Sequence, residues 1–151
     1  MKTGLIIPAI LLLCPAADDP KSDAVKKEYA RFDGTWKFES IEVDGKLMPN
    51  QNVEGFTLVL NGDQWSLVQG SVRRGGAYTV NLDKKPKQLD IIWTDGPEKG
   101  EKQLGIYELT KDTYKVCVGM PGIPRPTEFV SKPGSGRILE VLKREKRQNS
   151  K

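Results

Sequence analysis

Four aromatic residues, Trp65, Tyr78, Trp93 and Tyr107, stand in short alternating segments where every second residue is apolar. Ring faces gathered that way can wall a site for a small hydrophobic or amphipathic molecule, and the same rings can equally fill a core. The polar candidates are Arg125 and Glu128, which lie between Gly119 and Gly136 in a segment that also holds Pro121, Pro124, Pro126 and Pro133. A guanidinium on a proline-stiffened loop is suited to gripping a carboxylate or phosphate. The competing use of Arg125 is an ion pair with Glu128 that holds the loop in shape. A connection of that length inside a compact domain is either functional or disordered. The prolines predict an ordered loop lying over one mouth of the fold.

Most catalytic chemistry is absent from the composition. The chain has no histidine, which removes the usual general base, the nucleophile–histidine arrangements and most zinc or copper sites. Asp95, Glu98 and Glu101 lack the ligand spacing of a calcium loop, and Lys99 and Lys102 sit among them, so a solvated turn is expected. Nothing in the sequence brings two carboxylates such as Asp83 and Asp90 into one cleft for acid–base work. Cys117 stands on an apolar segment as a small buried side chain. The net charge of +4 is concentrated at the C-terminus, in Lys143, Arg144, Lys146, Arg147 and Lys151. No run interleaves basic and aromatic residues as nucleic-acid-binding sheets do. The expectation is a protein that is not an enzyme, with no metal, no cofactor and no nucleic-acid partner.

Any site must be positioned by strands. Short apolar runs fall near 35–43, 56–61, 64–70, 76–82, 88–93, 103–109, 112–118 and 137–144. They are separated by turn signals such as Asn61-Gly62-Asp63, Arg74-Gly75-Gly76 and Asp83-Lys84-Lys85-Pro86. Asn-Gly between two apolar runs is a strong hairpin signal. Trp36/Phe38, Phe56/Leu58/Leu60, Trp65/Leu67, Tyr78/Val80/Leu82, Leu89/Ile91/Trp93 and Tyr114/Val116/Val118 each put apolar residues on one face, with Lys37, Glu39, Gln64, Thr79, Asp90 and Lys115 on the other. One dry face, one wet face and short connections predict an all-β domain, an eight-stranded antiparallel up-and-down barrel over residues 32–145. Residues 18–31 read as a linker or a helix of about two turns, with Val25 and Tyr29 on one face. Residues 47–55 read as a loop or a single helical turn, and residues 146–151 as a basic tail.

Six motifs carry a resemblance. They are Gly34-Thr35-Trp36-Lys37, Val43-Asp44-Gly45-Lys46, Thr94 to Gly100, Leu104 to Leu109, Arg125-Pro126-Thr127-Glu128-Phe129 and Pro133-Gly134-Ser135-Gly136. In this order, over residues 31–145, the chain resembles the lipocalin-like domain of unknown function that is expanded in planctomycete bacteria. The resemblance implies a small, mostly secreted eight-stranded barrel with no established reaction. It also implies a structural role for Gly34 and Trp36, with the indole packed at the closed end beneath a basic residue of the last strand, Lys143 or Arg144. Strands this short predict a nearly filled barrel that leaves a cleft at one mouth.

Residues 1–17 read as a signal peptide: Lys2, an apolar stretch from Gly4 to Leu13, and Ala16-Ala17 before Asp18. The apolar stretch is too short for a membrane span. The expected location is therefore extracytoplasmic, secreted or periplasmic, with no transmembrane segment. A second reading takes Cys14 as an acylated lipoprotein cysteine; Leu13 argues against it, because that motif takes a small residue before the cysteine. Two functions follow. The first is non-catalytic binding of a small hydrophobic or amphipathic molecule at the barrel mouth through Trp65, Tyr78, Trp93, Tyr107, Arg125 and Glu128. The second is a structural or protein-interaction module with a filled core, whose partner would meet the loops.

Overall fold

The computed structural model describes residues 19–147; the expected leader and the last four residues lie outside them. The chain begins with helix α1 (Pro20–Phe32) and continues through β1 (Gly34–Val43), β2 (Lys46–Leu47), the one-turn helix α2 (Asn50–Val53), β3 (Phe56–Asn61), β4 (Gln64–Gln69) and β5 (Val72–Asn81). It is completed by β6 (Lys87–Trp93), β7 (Lys102–Leu109), β8 (Thr113–Gly119) and β9 (Arg137–Arg144). From β3 onward each strand pairs antiparallel with the next. β1 closes the circle by pairing with β3 on one side and β9 on the other, where the register shifts between Phe38 and Ser40. β2 folds back on the end of β1 and takes no part in the closure. The result is the expected eight-stranded, all-antiparallel barrel, with the strands within a few residues of the predicted bounds.

The interior is set by the two-residue period of the strands. Trp36, Leu60, Trp65, Tyr78, Leu89, Tyr107, Tyr114, Val116, Val118 and Leu142 form one buried cluster with Phe32 of α1. The helix supplies the floor. Asp19 caps its N-terminus by accepting from Lys21 N, and Pro20 occupies the first helical position, where its missing N–H leaves nothing unpaired. At its far end Phe32 is fully buried, with ring centroids 5.1 Å from Tyr107, 5.1 Å from Tyr114 and 5.6 Å from Tyr78. These are the tilted and edge-on geometries that aromatic quadrupoles favour. The segment read as a linker or a helix of about two turns is thus a 13-residue helix that plugs one end of the barrel. Val25 and Tyr29 are both half-buried, and the Tyr29 hydroxyl donates to Tyr78 O.

Arg74-Gly75-Gly76 is not a turn. The reversal comes earlier, at Gly70-Ser71, and both glycines sit inside β5. A Cβ on Gly76 would meet Ile92 O at 1.9 Å and Trp65 Nε1 at 2.8 Å, so the glycine is there to let the indole and the β6 backbone approach.

The Gly119–Gly136 connection also departs from expectation. It lies along the outer wall of β6–β8, not over the mouth. Pro126 is fully buried, Phe129 receives Lys115 Nζ 4.6 Å from its ring centroid, and Val130 O approaches Cys117 Sγ at 3.8 Å. Cys117 is buried beneath the loop, as expected. No helix among the described residues is long and apolar enough to cross a membrane.

Candidate functional site

Above the aromatic floor the barrel is hollow. A cavity of about 310 Å³ lies between the strands, with Phe38, Phe56, Trp65, Tyr78, Trp93 and Tyr114 supplying its ring faces. That is the lower end of the range of ligand pockets, roughly 300–1,000 Å³. The expectation of a nearly filled interior is therefore corrected. Between the large rings the inward positions of β3 and β4 carry Leu58, Leu60 and Leu67, which line the space without filling it. Met48 and Asn52, from the connection between β1 and β3, line the cavity at the end opposite α1. That connection is the cover which the Gly119–Gly136 loop was expected to provide.

Three of the predicted ligand residues, Trp65, Tyr78 and Trp93, are brought together in this wall. Trp65 and Trp93 meet edge to face at 4.6 Å. The Trp93 indole donates to Gln103 Oε1 at 3.0 Å, and Gln103 Nε2 donates to Gly119 O at 3.3 Å, so the amide ties the ring to the end of β8. The other three predicted residues are elsewhere. Tyr107 belongs to the floor, where its hydroxyl donates to Glu28 Oε1 at 2.9 Å. Glu128 is exposed on the outer loop, 3.9 Å from Lys132.

Arg125 is also outside the barrel, and it does not pair with Glu128. Its guanidinium donates to Leu89 O, to Gly105 O and, at 2.6 Å, to Asp90 Oδ1. With every hydrogen bond directed at strands β6 and β7, it fastens the loop to the wall; it lies outside the barrel cavity and borders only a hollow on the outer surface, beside Thr79, Gln88 and Asp90. Lys102 joins the same carboxylate from 3.1 Å. Burial raises the Asp90 carboxyl, and the hydrogen bonds from Arg125 and Lys102 outweigh that and hold it below the usual range.

The remaining acidic candidates are structural too. Asp95 accepts from Gly75 N, Glu98 pairs with Arg74, and Asp83 pairs with Lys21. No group of metal-ligating side chains occurs among the described residues.

The residue that sequence reasoning missed is Glu140. It stands on β9 between Ile138 and Leu142 on the inward phase and lines the cavity. Among the described residues none makes a hydrogen bond or an ion pair with its carboxyl, which is half-buried and open to the cavity. Burial alone pushes its pKa up to about 7. Its inward neighbours are Val116 directly across on β8, Tyr114 diagonally beyond it, and Ile41 across on β1. Tyr114 lines the same cavity, and its phenol is held well above its ordinary pKa by burial and then by the nearby Glu140 charge. The available signal was a carboxylate in phase with Ile138 and Leu142. It was masked because Leu139 and Val141 make the opposite face of β9 equally apolar.

Gly34 adopts φ +133°, and a Cβ there would lie 3.0 Å from Arg144 Nη1. Arg144 covers Trp36, whereas Lys143 points outward to Thr113 and Glu39.

No family model and no curated protein matches this chain. Among solved structures it is similar to the crystal structure of a DUF4847 family protein from Bacteroides vulgatus ATCC 8482, with a TM-score of 0.48 and 11% identity over 81% of this chain and 99% of that one.

Proposed function

We propose that this protein is an extracytoplasmic, non-catalytic binding protein of the planctomycete lipocalin-like kind, and that it takes one small, largely apolar molecule inside the barrel. The observation that carries the reading is the cavity of about 310 Å³ bounded by six aromatic rings. A barrel serving only as an interaction scaffold gains nothing from an unfilled interior, because voids forfeit packing and lower stability. The volume also limits the occupant. At the ~30 Å³ that one water occupies in the liquid, the space holds on the order of ten non-hydrogen atoms, which suits a small molecule better than a long-chain lipid.

Trp65 and Trp93 in the wall make binding observable. Titration with small aromatic and aliphatic compounds is expected to change tryptophan fluorescence saturably, with a stoichiometry near one. Val116→Phe, which puts a ring into the space, should abolish the change while the protein stays folded. A wild-type protein that shows no saturable response to any such compound would return the barrel to the role of an interaction module.

A further inference from the structure

We infer that the occupant of the cavity is an organic amine bound as its ammonium ion, with Glu140 as counter-ion and the surrounding ring faces as its cage. This rests on the binding reading above and specifies its chemistry. Glu140 is the one charged residue among those lining the cavity; no lysine or arginine lines it. β8 presents Tyr114 and Val116 to it, β1 presents Phe38 and Ile41, and the far wall presents Tyr78 and Trp65. The titratable groups facing the carboxyl are therefore two neutral phenols. An ionised carboxylate without a partner in such a lining is destabilising, and an apolar residue in its place would remove the penalty. A ligand that brings a positive charge supplies the missing partner.

The ring faces point to the same chemistry. An ammonium ion is attracted to the faces of Trp, Tyr and Phe, and more strongly when water is excluded. An anionic ligand would meet the Glu140 charge with no cation to offset it, and the two unpartnered donors among the lining residues, the Trp65 indole N–H and the Tyr78 hydroxyl, are neutral and sunk in the wall. The polarity is thus opposite to the one expected from Arg125, which is held on the outer wall by Asp90. A neutral alcohol could donate one hydrogen bond to Glu140 but would leave its charge uncompensated.

The test uses 2-phenylethylamine, the matching alcohol 2-phenylethanol, and phenylacetate, titrated into the wild-type protein and Glu140→Gln and read by calorimetry and tryptophan fluorescence. At pH 8.5 the amine should bind wild type at least tenfold more tightly than the alcohol, and phenylacetate should bind most weakly. Glu140→Gln should keep the alcohol and lose the preference for the amine. The amine stays protonated down to pH 5.5, as a lysine does. Glu140, pushed up to about 7, is then mostly protonated, so binding the ammonium must expel a proton and the amine's affinity should fall about 30-fold between pH 8.5 and 5.5. The alcohol's affinity should not change. Equal binding of amine and alcohol, or an amine affinity unaltered in Glu140→Gln, would overturn the inference while leaving the cavity a binding site. Failure of all three probes to bind either protein would overturn the binding reading along with it.

Discussion

The Arg144 guanidinium lies over the Trp36 indole, 4.2 Å from the ring to the guanidinium carbon, and the two residues are register partners across the β1–β9 ladder. The same guanidinium donates to Asp33 O at 2.7 Å and Lys111 O at 2.7 Å, and it also reaches Arg31 O. Trp36 in turn donates from its ring nitrogen to Phe32 O at 2.8 Å. One cation–π contact therefore joins the closing seam of the barrel to the end of the helix that floors it.

From this geometry Trp36→Ala should lose ~3–5 kcal/mol of stability, as deletion of a buried aromatic side chain does. Arg144→Ala should lose about 2–3 kcal/mol, combining the stacking with several charge-assisted hydrogen bonds. Lys143→Ala should stay within about 0.5 kcal/mol, since Lys143 is exposed and makes only surface contacts. Urea unfolding of the three variants separates these outcomes, and a Trp36→Ala protein as stable as wild type would contradict the placement.

Arg125→Ala should be a stability variant and not a binding variant. Losing the Asp90 ion pair and two carbonyl contacts is expected to lower stability by about 1.5–3 kcal/mol. Affinity for any cavity ligand should be unchanged. A large loss of affinity with unchanged stability would place the guanidinium in the site after all.

Glu28 predicts how the protein responds to acid. Burial raises its carboxyl, but the donors of Lys87 (2.8 Å), Tyr107 (2.9 Å) and Arg31 (2.6 Å) outweigh burial and hold it below its ordinary 4.5. With the folded pKa below the unfolded one, the contribution is fully present above pH 4.5 and is lost as pH falls through the folded value. Glu28→Ala should lose about 2–3 kcal/mol at pH 7, somewhat below the usual loss for a broken buried pair because both cations reach solvent. Its stability should also fall less steeply than wild type below pH 4.5 in urea titrations.

Glu140 works in the opposite direction. Its folded value of about 7 lies above the ordinary 4.5, so the native state holds the proton more tightly than the unfolded chain. Its contribution declines as pH rises from 4.5 to 7 and then levels off. Without ligand, Glu140→Gln should be more stable than wild type by about 1–3 kcal/mol at pH 8.5, with cavity water moderating the gain, and nearly equal to it at pH 4.5. Parallel stability curves for the two proteins across that range would contradict an unpaired carboxylate held in the cavity wall.

Export should leave a chain starting at or near Asp18. Cleavage there retains Asp19, which caps α1, and so leaves the floor of the barrel intact. N-terminal sequencing and mass spectrometry of the exported protein check this; an intact Met1 or an acylated Cys14 would contradict it.

The strands were legible because their signal is local. Phe56/Leu58/Leu60 and Leu89/Ile91/Trp93 alternate with residues that water can reach, and Asn61-Gly62 marks its hairpin without reference to anything distant. What escaped depended on partners remote in the chain. Arg125 has Glu128 close by in sequence, yet it binds Asp90, 35 residues away, because the loop lies along a strand face. Leu139 and Val141 hid the inward phase of β9, so Glu140 could not be told from a surface carboxylate. Gly75 and Gly76 look like a turn until the β4 backbone is seen against the first and the Trp65 indole against the second. Phe32 gives little sign that it will stopper a barrel, since its ring partners come from three separate strands.

The seam between β1 and β9 bears on when the chain can fold. Arg144 and Asp33, joined there, are 111 residues apart in sequence. Contacts that distant must await closure of a long loop, and topologies built on them fold slowly, in milliseconds to seconds. Until the last strand is available, β1 has an unpaired edge along most of its length and Trp36 has no lid. A polypeptide delivered from its N-terminus therefore keeps an open barrel until β9 emerges, and that strand alone decides when the ring closes.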